Sequence, residues 1–114
     1  MATNGGPFSA LAQFDVHRNP SAQTRRQLPL LLVVQSDLLR QSARRVVVPL
    51  ARAHQIGDLD PTLNPRFEID GVSYALLPTD IAPIPAKQLD EPITSLADFG
   101  ETILAALDLL FARR

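Results

Sequence analysis

Apolar and polar positions fall into two kinds of pattern along this chain, and the change between them divides it. Up to about residue 87 the apolar residues alternate or run together in short β-branched blocks, as strands do. Residues 12–17 alternate, with Phe14 and Val16 set against Gln13, Asp15 and His17, which predicts a half-buried first strand with His17 facing solvent. Residues 29–35 are almost continuously apolar, which predicts a strand in the middle of a sheet. Ser36 and Asp37 supply turn chemistry, and residues 45–50 give a third strand. Residues 51–65, punctuated by Gly57, Pro61 and Pro65, read as a long connection with a short helical turn near 51–55. Asp70-Gly71 between alternating segments predicts a tight hairpin with positive φ at the turn. Pro83 and Pro85 confine residues 81–87 to an edge or a short strand, because proline has no ladder donor.

From residue 95 the period changes. Leu96, Phe99, Ile103, Leu107 and Leu110 recur at spacings of three and four, which predicts an amphipathic helix. Ser95 with Asp98 approximates a capping box at its start. Gly100 weakens the first turns by roughly 1 kcal/mol relative to Ala. Leu104 and Phe111 widen the apolar stripe beyond what one sheet face needs, so a second burial surface is expected. Arg113 and Arg114 suit the negative end of the helix dipole. The expected fold class is therefore mostly β with a C-terminal α-helix.

Composition narrows the function more than it names one. A chain of 114 residues suits one small domain, and such domains often gain stability by dimerising. Residues 1–11 read as a flexible leader and 12–114 as the single domain. A net charge of −1 carries no electrostatic footprint for nucleic acid. All the basic residues but Lys87 are Arg, which suits planar pairing with carboxylates. Without cysteine there is no disulfide framework and no thiolate metal or redox site, which fits a reducing cytoplasm. No apolar run approaches the ~20 residues of a membrane span.

Catalytic chemistry finds little purchase. His17 and His54 have no His or Cys at ligand spacing, so neither a metal nor a cofactor is expected. Asp58 and Asp60 sit in a Gly/Pro-rich loop, where carboxylates form turns. Ser36-Asp37 has no nearby His to activate the hydroxyl. What remains concerns surfaces. Leu38-Leu39 either tuck under the sheet or project as an apolar knob for a partner. Arg44-Arg45 read as a solvated strand edge or as a dock for an acidic segment.

The string Val34-Gln35-Ser36-Asp37, two leucines, then Arg44-Arg45-Val46-Val47-Val48-Pro49-Leu50 resembles the core signature of the CcdB family of gyrase-poisoning toxins. The similarity extends from Gln13-Phe14 through Thr79-Asp80-Ile81-Ala82-Pro83-Ile84-Pro85 to 106–111, where Asp108 stands in place of a common Asn. The resemblance implies an SH3-like twisted antiparallel sheet with a terminal helix, shared with the MazF toxins, and a symmetric homodimer. It implies a type II toxin with no catalysis of its own, which binds the DNA gyrase A subunit and traps the cleaved-DNA complex. A cognate CcdA-like antitoxin would neutralise it and repress the shared operon with it. The expected gyrase contacts are Leu38, Leu39, Asp108, Phe111, Ala112, Arg113 and Arg114, and the expected antitoxin contacts are Arg44 and Arg45. The family's helix ends in an aromatic and Gly-Ile, whereas this chain ends Phe111-Ala112-Arg113-Arg114. A non-toxic homologue acting through antitoxin binding and a MazF-like endoribonuclease are the alternatives.

Overall fold

Strand β2, Leu30–Val33, shows why the sheet needs cover on both sides: all four of its residues are buried. Leu30 and Leu32 join one apolar cluster, and Leu31 and Val33 join another on the opposite face. The computed structural model describes residues 11–111. Around β2 it builds one antiparallel sheet, curved into a nearly closed barrel, with a single α-helix after it.

β1 (Asp15–Arg18) pairs with β2, and β2 with the nine-residue β3 (Arg44–Arg52). β3 changes partner along its other edge. Its first half pairs with β6 (Ala82–Pro85) and its last residues with β5 (Val72–Leu76), which returns from β4 (Arg66–Ile69). The two-residue β7 (Thr94–Ser95) closes onto β1. Pro49 lies inside β3, yet no ladder bond is lost. Its carbonyl accepts from Leu77, so its nitrogen faces the same side, in the gap between β6 and β5. The 70–71 hairpin forms as its sequence predicts, with Asp70 at φ 52° and Gly71 at φ 79°. The proline-bearing β6 pairs with β3 as the short strand its sequence predicts.

Helix α1 spans Gly100–Phe111 and buries Ile103 and Ala106 in the main core, with Leu107 packed beside them. It starts later than its periodicity suggests. Leu96 is buried but precedes a 3-10 turn at Ala97–Phe99, and the Phe99 ring tilts against Phe67 with centroids 5.4 Å apart. The expected capping box does not form. Ser95 belongs to β7, and its hydroxyl accepts from the Ala97 N–H at 3.1 Å. Gly100 answers to packing: a Cβ there would lie 2.9 Å from the Phe14 ring. Phe14 itself sits at φ 72°, a strained conformation for a bulky side chain. Hydrogen bonds to Val33 and from Leu96 hold it.

Two further expectations need correcting. His17 does not face solvent but is wholly buried. Its register opposite Leu31 puts it on the sheet face that carries Leu89, and its Nδ1 lies 2.7 Å from the Asp90 carbonyl. Alternation marks polar positions as outward only when one face is wet, and here both are covered. Arg45 is likewise buried rather than part of a solvated edge. The short helical turn expected near 51–55 is present as a 3-10 turn at Ala53–Gln55, just after β3 ends at Arg52. Among the described residues no helix is long and apolar enough to cross a membrane.

Candidate functional site

The residues of the Val-Gln-Ser-Asp string build a loop, and each polar side chain in it bonds to backbone. The Gln35 amide donates to the carbonyls of Leu39 and Arg44, both at 3.2 Å, while its Oε1 accepts from the Val46 N–H at 3.1 Å. The Ser36 hydroxyl accepts from Leu38 N–H at 3.1 Å, capping a 3-10 turn at Asp37–Leu39. Asp37 reaches back to accept from the Gln13 N–H at 2.8 Å. Burying a polar side chain is costly unless it is bonded, and the structure meets that demand at Arg45. Its guanidinium donates to the carbonyls of Arg40 (2.6 Å), Ser42 (2.7 Å), Arg44 (3.0 Å) and Leu11 (3.3 Å). A cation beneath the loop thus satisfies carbonyls that would otherwise point inward.

What this scaffold presents is apolar. Leu38 is 94% exposed and Leu39 57%. A leucine buried against a partner gains about 1.5–3 kcal/mol, so a fixed and bare pair is a ready docking feature. Arg44, the first residue of β3, is exposed. The two members of the Arg-Arg pair therefore do different things: Arg44 faces solvent, whereas Arg45 holds the loop and has no surface for a partner to touch.

The helix offers a second apolar surface. Leu104, Asp108 and Phe111, spaced by four and then three, lie along its outer side, and all are exposed. Phe111 is 72% exposed. Ala112, Arg113 and Arg114 lie outside the described residues, as do residues 1–10 of the expected leader. Segment 13–15 connects loop and helix: Gln13 bonds to Asp37, and the Phe14 ring rests on Gly100. Burial pushes the Asp15 carboxyl above its ordinary value; the Ala12 N–H and the nearby His17 oppose this, and Asp37 adds to it.

The residues weighed for catalysis do not come together. His54 is exposed on its 3-10 turn. Asp60 accepts from the N–H groups of Thr62 and Leu63, forming a turn. No group of three or more potential metal ligands occurs among the described residues. Sequence reasoning did not find a cleft lined by Arg18, Arg25, Arg52 and Tyr74, whose members are scattered along the chain. A family model described as CcdB protein matches residues 13–112.

Proposed function

This chain belongs to the CcdB family, toxins of toxin–antitoxin modules, and from that membership we propose that it acts on the A subunit of DNA gyrase. Two copies related by a two-fold axis present Leu38 and Leu39, together with the Asp108–Phe111 end of the helix and Ala112, Arg113 and Arg114, as a wedge. The wedge binds one conformation of the gyrase–DNA intermediate, the one with cleaved strands, and shifts the population toward it. No bond is made or broken by the toxin. A CcdA-like antitoxin neutralises it by folding a disordered segment onto its surface, with Arg44 as a cationic contact, and the pair represses the shared operon in the cytoplasm.

The observation that carries this reading is Leu38, almost fully bare at the tip of a loop fixed by Gln35, Ser36, Asp37 and Arg45. Ordering a loop before binding removes an entropic cost of association. Exposure of Leu104 supports the homodimer, because a second copy would cover it.

The test is binding of the full chain to a gyrase A fragment, followed by assays for cleavage complexes and for RNA cleavage in expressing cells. Binding that weakens at least tenfold in Leu38→Asp and in Phe111→Ala is expected, as for apolar anchors at an interface. Cleaved RNA with intact DNA would assign the chain to the ribonuclease branch of this fold. Neither product, with antitoxin binding intact, would make it an inert relative.

A further inference from the structure

We infer that the cleft at the ends of β1 and β3 is an anion site for a phosphate monoester dianion, either free phosphate or a nucleotide-sized phosphate ester. Its walls bring together Arg18 at the end of β1, Arg25 from the 19–29 loop and Arg52 at the end of β3. Among the described residues no hydrogen bond or ion pair engages any of the three guanidinium groups. One carboxylate, Asp90, shares the rim, so two positive charges remain uncompensated. Like charges gathered in one concavity repel, and a bound anion removes that repulsion.

A second observation points the same way. Tyr74 lines this cleft, and its solvent-accessible hydroxyl has no hydrogen-bond partner among the described residues, which leaves it free to bond an anion. The site is also held in shape. Asn19, itself buried, donates to the Thr24 hydroxyl at 2.9 Å and the Leu28 carbonyl at 2.8 Å, and accepts from the Ser21 N–H at 2.9 Å. Those bonds fix the loop that carries Arg25. The contact of His17 with the Asp90 carbonyl fixes the opposite rim.

Charge and shape choose the ligand class. A phosphate monoester carries about −1.5 to −2 on three acceptor oxygens near neutral pH, which matches the two surplus positive charges and the forked guanidinium donors. The cleft holds about 380 Å³, in the range of small-molecule sites. An acidic peptide spreads single charges along an extended backbone and suits a groove better than this concavity. The inference is independent of the gyrase reading, because none of these residues belongs to the loop or the helix.

Titration calorimetry on the full chain with adenosine 5′-monophosphate, inorganic phosphate, adenosine and a hexaglutamate peptide tests it. The monophosphate is expected to bind and adenosine to give no heat. Comparable affinity for inorganic phosphate would identify the free ion as the source, and weaker affinity the ester. Arg18→Gln and Arg52→Gln should each weaken binding about tenfold or more, as loss of a charged hydrogen bond does. Tyr74→Phe keeps the ring in the core and should weaken binding about threefold to tenfold. Arg26→Gln, next to Arg25 but outside the cleft, should leave affinity within about twofold. Absence of binding by either phosphate at millimolar concentration overturns the inference. So does equal loss in Arg26→Gln, or hexaglutamate binding as tightly as the monophosphate.

Discussion

The 35–45 loop and helix α1 both offer bare apolar side chains to solvent, but they are built in opposite ways. In the loop, polar groups do the fixing: Gln35, Ser36, Asp37 and Arg45 bond to backbone, and the leucine side chains lie mostly in solvent. In the helix, apolar groups do it. Ile103 and Ala106 anchor one side, which leaves Leu104 and Phe111 on the other. A docking surface can thus rest on a hydrogen-bonded frame or on a hydrophobic one. The two respond differently to substitution, because bonded frames fail when a buried donor is removed and apolar frames fail when volume is removed.

The largest effect is expected in the loop. Arg45→Ala strips the carbonyls of Leu11, Arg40 and Ser42 of their side-chain donor, leaves that of Arg44 to Gln35, and opens a cavity beneath residues 40–44. Breaking a buried charged network by removing one partner costs about 3–5 kcal/mol, and urea denaturation should show a loss of that order. On the helix side, Ile103→Ala removes a wholly buried side chain at a cost of about 2–4 kcal/mol. The two variants should also differ in hydrogen exchange. Arg45→Ala should deprotect amides in the 36–44 segment at little cost to α1, and Ile103→Ala should deprotect α1 first. Uniform deprotection in both would mean that loop and helix are one cooperative unit, and the contrast would fail.

Sequence pattern reached much of this architecture, and it missed where pattern loses contact with space. The Asp70-Gly71 hairpin, the central β2 and the proline-bearing β6 were legible because each rests on local backbone chemistry. Exposure of Leu38 was an open alternative, since a leucine pair after a turn packs inward as readily as outward. The deciding bonds come from Gln35 and from Arg45, a position whose burial no local signal announces. His17 and Arg45 look like surface residues in any alternation count. They are buried because the segment around Leu11 and Leu89 covers the second face of the sheet. Leu96 and Phe99 carry helical spacing yet precede the helix, since the chain must first pair Ser95 with Asp15. The arginine cleft was invisible for a simpler reason: only strand order brings Arg18 and Arg52 together.

A smaller effect on the fold, with a large one on binding, is expected at the loop tip. Leu38→Asp alters a side chain that is 94% exposed, so stability should stay within about 0.5 kcal/mol of the parent. Binding to the gyrase A fragment should nevertheless be lost. Retained binding with unchanged stability would show that the frame displays the leucines for something else.

The finest probe sits at the junction, where Asp15 touches both regions. Its backbone pairs with Ser95 ahead of the helix, and its Oδ2 accepts from Ala12 at 3.2 Å. Burial raises its pKa above the ordinary 3.8; the Ala12 bond and His17 pull it down, and the loop's Asp37 pushes it up. A raised folded value means that the native state holds this proton more tightly than the unfolded chain does. The resulting stability is fully present below pH 3.8 and is lost as pH rises through the folded value. At neutral pH the ionised carboxylate is therefore a net liability. Asp15→Asn keeps an acceptor for Ala12 and removes the charge, so it should exceed the parent in stability at pH 7. That advantage should shrink as pH falls and vanish below 3.8, where the parent is protonated as well. Urea midpoints measured across that interval decide it. A constant offset between the two proteins would mean that Asp15 titrates in the fold as it does in the unfolded chain. Adding Asp37→Asn should narrow the difference, because the loop then no longer opposes ionisation at the junction.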